Sequence, residues 1–409
     1  MENKMLTGKI KIFTVLIAAL LLSACEIDET DTTPEVPPPV TPPVTPPVAV
    51  TCTEGQFNMA IQTVAPNYGA SSAIALGCST EATITDDLLI EDDSDYTVST
   101  GSDSFYHIGR DSIDTVAKYQ FETSSLQDWK FSTNNANEAG SSNPYKLIEV
   151  SSTKAYIIRY GKSDAWIVNP SASDSAAFKI GELDLASYLG DGETTVNMSD
   201  AIISNGKLFI AMQRIGKNYN FSNDSKIAVF DTTTDLEIDT TPADVNDEKA
   251  ITILGHNVQA LSASNNIIFI ASRGNYSSDY GLLEALNTSD YSLGTIITGS
   301  IDIGHITNVE ALSDSRIYMV SDYSASIDGT YTYQQNVHDV DVASKSITAE
   351  ISSLKGTHIS DIEVGPEGNL WIASSVNNNP GVYKIDPDSN TQLAFIPTSM
   401  NPTKISFKK

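Results

Sequence analysis

The chain has 409 residues and a formal net charge of −28, with 24 Lys and Arg set against 52 Asp and Glu. An acidic surface of that kind repels polyanions, which argues against nucleic acid or anionic lipid as a partner for the body at large. Only 19% of residues are charged, and Ser, Thr, Asn, Asp and Gly are abundant without helical periodicity, which points away from helical bundles.

The first residues read as an export signal. Lys4, Lys9 and Lys11 precede an apolar run, Ile12 to Leu22, too short to span a bilayer comfortably. It ends Leu22-Ser23-Ala24-Cys25, which matches the bacterial lipobox, so residues 1–25 are expected to be a lipoprotein signal with Cys25 as the lipidated residue. An ordinary secretory cleavage near Ala24 is the alternative. Residues 26–51 cannot form a core: Pro37-Pro38-Pro39, Thr41-Pro42-Pro43 and Thr45-Pro46-Pro47 favour an extended polyproline II tether. Glu26 after Cys25 is not the aspartate associated with inner-membrane retention, so the expected location is the outer membrane, held through the lipid anchor alone.

Residues 52–409 read as one all-β domain with a period of roughly 50 residues. Each unit has a strand, a polar turn, a second apolar strand, a long loop, and a third strand ending in Asp or Asn. Clear copies begin at Ala201-Ile202-Ile203-Ser204-Asn205-Gly206, Ala260-Leu261-Ser262, Ala311-Leu312-Ser313 and Ile362-Glu363-Val364-Gly365. Weaker ones run over Leu147 to Ile158 and Tyr96 to Ile108. Asn401-Pro402-Thr403-Lys404-Ile405-Ser406-Phe407 echoes Asn143-Pro144-Tyr145-Lys146-Leu147, and Phe57 to Thr85 lacks an opening strand. The last strand is therefore expected to complete the first unit, closing a seven-bladed β-propeller, with six or eight blades as alternatives.

The repeat resembles seven-bladed propellers of the YVTN type, in which an Asn-Pro-led strand precedes a turn and a strand ending Tyr-Val-Thr-Asn. Here that motif is replaced by Phe209-Ile210-Ala211-Met212, Phe269-Ile270-Ala271-Ser272, Tyr318-Met319-Val320-Ser321 and Trp371-Ile372-Ala373-Ser374. The resemblance implies the fold and transfers no catalytic residue.

Repeat alignment also groups rare residues. Arg110, Arg159, Arg214 and Arg273 end the second strand of four successive units, and His256, His305 and His358 precede or open the first strand of three. Tyr160, Tyr219, Tyr276 and Tyr323 stand in loops expected on the same face. Guanidinium forks with rigid aromatics suit a small anionic or metal-complex ligand, and imidazoles could meet a ligand-borne transition metal. The competing reading is structural, with each arginine tied to Asp200 or Asp361 of a neighbouring unit. No Gly-x-Ser-x-Gly elbow, His-Glu-x-x-His or P-loop occurs. Asp386-Pro387-Asp388-Ser389-Asn390 lacks the later Gly and Glu of a calcium loop and fits a turn.

The expectation is a non-enzymatic capture lipoprotein for a ferric siderophore, haem or corrinoid class of ligand, serving a TonB-dependent transporter. A propeller hydrolase or lactonase with an axial metal, and a scaffold or adhesin, are the alternatives.

In an oxidising compartment Cys52 and Cys78 are expected to pair, stabilising the domain by roughly 3 kcal/mol on the chain-entropy model. Thiol labelling of denatured, unreduced mature protein should find both blocked; two labelled thiols would contradict the pairing.

Overall fold

Lys207–Met212 reads Lys-Leu-Phe-Ile-Ala-Met, apolar on both sides of a strand, so it needs a packed layer on either side. The computed structural model supplies both. Leu208, Ile210 and Met212 pack toward one neighbouring sheet, Phe209 and Ala211 toward the other. The structure describes residues 57–66, 71–122, 126–217, 219, 221, 223–241, 248–275, 279–327, 330–355, 357–376 and 379–409. The signal, the tether and Cys52 lie outside them. Cys78 is buried at the end of its strand.

The described residues form seven antiparallel four-stranded sheets. Blade one holds β1 (Met59–Val64), β2 (Ser72–Cys78), β3 (Thr83–Glu91) and, from the far end of the chain, β28 (Asn401–Phe407). Blade two is β4 (Tyr96–Thr100), β5 (Ser104–Gly109), β6 (Thr115–Gln120) and β7 (Gln127–Ser132). Blade three is β8 (Pro144–Ser151), β9 (Lys154–Arg159), β10 (Asp164–Val168) and β11 (Lys179–Asp184). Blade four is β12 (Met198–Ser204), β13 (Lys207–Met212), β14 (Lys226–Asp231) and β15 (Ile251–Thr252). Blade five is β16 (Val258–Ser264), β17 (Ile267–Ser272), β18 (Leu282–Asn287) and β19 (Leu293–Thr298). Blade six is β20 (His305–Ala311), β21 (Arg316–Ile327), β22 (Thr330–Asp341) and β23 (Ser346–Glu350). Blade seven is β24 (Ile359–Val364), β25 (Leu370–Val376), β26 (Asn379–Asp386) and β27 (Thr391–Pro397).

The innermost strands touch in sequence around a closed circle: β4, β8, β12, β16, β20, β24, β28 and back to β4. The core is correspondingly divided. Seven apolar clusters fill the seven seams between blades. The closing seam joins Trp371 and Ala373 of blade seven to Met59, Ile61, Ile405 and Phe407 of blade one.

Turn chemistry follows the repeat. Asn205 and Gly206, both at positive φ, make the two-residue hairpin between β12 and β13. Third strands end in Asx turns: Asp231 accepts from the amides of Thr233 and Thr234, and Asp386 accepts from Asp388 N and Ser389 Oγ. The segment reminiscent of a calcium loop is thus a turn.

The repeat as read from sequence has three strands, whereas each blade has four. The fourth is the outermost and faces water along one edge, so it lacks an apolar signature; β7 reads Gln-Asp-Trp-Lys-Phe-Ser, with Trp129 its one buried residue.

Closure rests on β28, which pairs with β1 from Met59↔Phe407 to Val64↔Asn401. Deleting residues 398–409 removes Ile405 and Phe407 from the seam and bares strand edges. Thermal unfolding followed by circular dichroism should lose its cooperative transition; a truncated protein that melts like the full chain would contradict closure by β28.

Candidate functional site: the central channel

Six of the seven innermost strands bulge near their start, with Tyr145, Ser199, Gln259, Thr307, Ser360 and Thr403 as the extra residues. A bulge re-aims the side chain that follows it. The following residues are Lys146, Asp200, Ala260, Asn308, Asp361 and Lys404, a belt drawn from one repeat position. Its members bond across blade boundaries. Lys146 Nζ lies 2.6 Å from Asp200 Oδ1, Lys404 Nζ 3.0 Å from Asp361 Oδ1, and Asn308 Nδ2 donates to Asp361 Oδ1 at 3.3 Å.

The two aspartates also fasten backbone. Asp200 Oδ1 accepts from Ala201 N, while Oδ2 accepts from Leu261 N of the next blade at 2.8 Å. Asp361 Oδ2 accepts from Ile405 N of the next blade at 2.8 Å. Asp200 and Asp361 are 9% and 4% exposed, so their charges are stabilised mainly by these bonds and the two lysines. Lys404 resists the cost of burial because Asp361 and Glu363 hold its charge, raising its pKa above the ordinary lysine value.

One layer further along the strands stand Glu310 and Glu363. Glu310 Oε2 accepts from Ser262 Oγ of blade five at 2.9 Å, and Oε1 accepts from Val364 N of blade seven at 3.2 Å. Glu363 Oε2 lies 3.8 Å from Lys404 Nζ. Burial, and then the neighbouring Glu363 charge, push the Glu310 carboxyl up to about 8; burial also raises Glu363. Belt and layer face a channel of about 950 Å3 walled by all seven innermost strands.

The residues singled out in the sequence lie elsewhere. Arg110, Arg159, Arg214 and Arg273 all fall at the ends of second strands, on the face where the innermost strands begin, but none lines the channel. Arg159 has a side chain with no exposed surface; it bonds Asp164 at 2.7 Å and Glu138, and lies 4.6 Å from the Trp166 ring. Arg273 pairs with Asp322 at 3.2 Å. Arg110 stacks on Tyr145 at 4.1 Å and reaches Asp95 at 3.6 Å. Arg214, at positive φ, donates to the carbonyls of Tyr188 and Asp224. None of the four pairs with Asp200 or Asp361, which the belt and its backbone staples occupy instead.

The histidines are likewise engaged. His256 Nδ1 lies 3.2 Å from Asp279, His305 Nδ1 donates to the Arg273 carbonyl, and His358 Nδ1 lies 3.2 Å from Ser375 Oγ. Among the described residues no three His, Cys, Asp or Glu side chains gather as a metal set. Tyr160 donates to Gln213 and Tyr323 to Gln334, while Tyr219 is 77% exposed. Tyr276 lies outside the described residues.

The channel residues left a faint trace in the sequence: a polar or aromatic residue followed by Lys, Asp or Asn near the start of an opening strand, as in Tyr145-Lys146, Ser199-Asp200, Thr307-Asn308, Ser360-Asp361 and Thr403-Lys404. Each pair alone looks like ordinary strand polarity.

No family model and no curated protein matches the chain in sequence. Solved structures do match in shape. A Bacteroides fragilis protein provisionally designated a 6-phosphogluconolactonase aligns with TM-score 0.57 and 12% identity, over 86% of this chain and 97% of that one. A Lactobacillus plantarum protein aligns with TM-score 0.54 and 14% identity, over 87% and 100%. The Pseudomonas aeruginosa periplasmic gluconolactonase PpgL aligns with TM-score 0.54 and 13% identity, over 86% and 98%. At these identities the likeness is one of fold: this chain is a seven-bladed β-propeller.

Proposed function

We propose that this propeller is the ligand-binding head of an exported lipoprotein and that its ligand sits in the central channel. The observation behind the reading is a cavity of about 950 Å3 bordered by Lys146, Asp200, Glu310, Asp361, Glu363 and Lys404. A concave site with a few convergent polar groups is where small ligands bind. With Glu149, Lys408 and Lys409 the wall carries five carboxyls and four lysines, a mixed polar lining with a slight acidic excess that suits a hydroxyl-rich or weakly cationic ligand. The arginine cluster suggested an anionic metal complex, but those guanidiniums already have partners, so the proposed site and ligand class move to the channel. Lipidation at Cys25, the tether 26–51 and delivery to a TonB-dependent transporter at the outer membrane complete the proposed setting.

One observation favours a second reading. Glu310 faces the channel, and burial with the neighbouring Glu363 charge raises its carboxyl pKa, which suits general acid catalysis in hydrolysis of a small polar substrate such as a sugar lactone.

Thermal melts with polyols, diamines, sugar acids and sugar lactones separate these readings. A polyol or diamine should raise the melting temperature, since a ligand at 100 times its Kd stabilises by about 2.7 kcal/mol. That shift should vanish in Gln259→Trp, whose indole would crowd the channel. A shift that survives in Gln259→Trp, or a preference for sugar acids, counts against the channel as the site. Acid release from a sugar lactone that disappears in Glu310→Gln would establish the hydrolase instead.

A further inference from the structure

Water-exposed apolar side chains line up on one stretch of the face where the innermost strands begin. Leu189, Leu254 and Ile301 are 38%, 61% and 77% exposed. Each stands in the connection that leads into an innermost strand, β12, β16 and β20 in turn, so the entries to blades four, five and six carry one apiece. Tyr219, 77% exposed, belongs to the loop between β13 and β14 on the same face, at a positive φ that is strained for an aromatic residue. Single exposed side chains of this kind are ordinary, whereas a series at one repeat position marks a surface that meets a partner.

Polar and ring contacts tie the three connections together. Glu193, from the connection that carries Leu189, accepts from Asn223 Nδ2 at 2.6 Å. Asp224, next in the chain, lies 3.6 Å from Nε2 of His256, which follows Leu254 by two residues, and Asp279 lies 3.2 Å from His256 Nδ1. Tyr280, next to Asp279, packs on the His305 ring at 4.7 Å, and Ser300 bridges to Gly304 across Ile301. The stretch from Leu189 through Leu254 to Ile301 is therefore one braced arc. A braced surface loses little conformational freedom when it is covered.

Its border is acidic. Asp191 and Asp302 are exposed, and the Asp224 and Asp279 side chains are 63% and 37% exposed. Against them stand the exposed Lys217 and Arg214, the latter already bonded to two carbonyls. We propose that this arc docks a protein partner through a basic amphipathic segment, whose apolar side covers Leu189, Leu254 and Ile301 while its lysines or arginines face the aspartates. Charge selects this occupant. A second copy of the chain would bring the same aspartates and a net charge of −28, and an anionic lipid surface would be repelled as well. Leu189, Leu254 and Ile301 stand outside the channel wall, so the inference is separate from the identity of any channel ligand.

The probe is a synthetic helical peptide of lysine and leucine at amphipathic spacing, titrated calorimetrically into the mature protein. Replacing Leu254→Ser and Ile301→Ser together should weaken binding by about tenfold or more, as expected when apolar anchors are lost from an interface. Leu236→Ser, at the opposite end of the sheets, should bind as the wild type does. All of these side chains are open to water, so melting temperatures should stay level and separate lost docking from lost folding. Methyl spectra should show the Leu189, Leu254 and Ile301 signals moving as peptide is added. A lysine–serine peptide of equal charge that binds as tightly, or a double variant that keeps wild-type affinity, would overturn the docking arc. Dimerisation that the double variant abolishes would assign the arc to a second copy, and capture by anionic vesicles would assign it to a membrane; either result overturns the basic protein partner.

Discussion

A sheet with two apolar faces cannot stand alone in water, and the middle strands of these blades are apolar on both. β13 sends Leu208 and Ile210 one way and Phe209 and Ala211 the other, and each face needs another blade. Stacking alone leaves the two outermost faces bare, so the sheets must close on themselves. The strand that completes blade one comes from the far end of the chain, and the seam of Trp371, Ile405, Phe407 and Met59 fills once β28 pairs with β1.

The channel follows from that closure. Seven twisted sheets around an axis leave a space that no strand occupies, bounded by seven inner strand edges. Some of those edges must be tied to each other and some of the side chains there must meet water. Bulges at one repeat position serve both needs, turning Lys146, Asp200, Asn308, Asp361 and Lys404 into a belt that bonds across blade boundaries. Polar groups used in this way hold neighbouring strands in register and leave a hydrophilic wall. Glu310 extends the arrangement one layer further, its carboxyl accepting from Ser262 of blade five and Val364 of blade seven.

Much of the fold was legible in the sequence because the signals repeat. Asn205-Gly206 and its counterparts mark hairpins, the third-strand Asp residues mark Asx turns, and the echo of Asn143-Pro144 in Asn401-Pro402 marked the strand that closes the ring. The outer strands were not legible, since one open edge and one wet face erase the apolar pattern. The arginines stand out in the sequence because they are rare, yet rarity does not distinguish a ligand contact from a brace: Arg159 is wholly buried between Asp164 and Glu138. The channel acids and lysines were hidden by the opposite effect. Each is common on strands, and only the bulge, a backbone feature with no strong sequence signature, aims them inward.

The central claim is that the axis, and not the arginine-bearing face, is where this molecule meets its ligand. A crystal structure of protein purified from its own cell envelope tests it most directly. Density for a small polar molecule is expected in the channel, within hydrogen-bond reach of Glu310 or Lys404. A ligand seated instead against Arg214 and Tyr219, with only water along the axis, would contradict it.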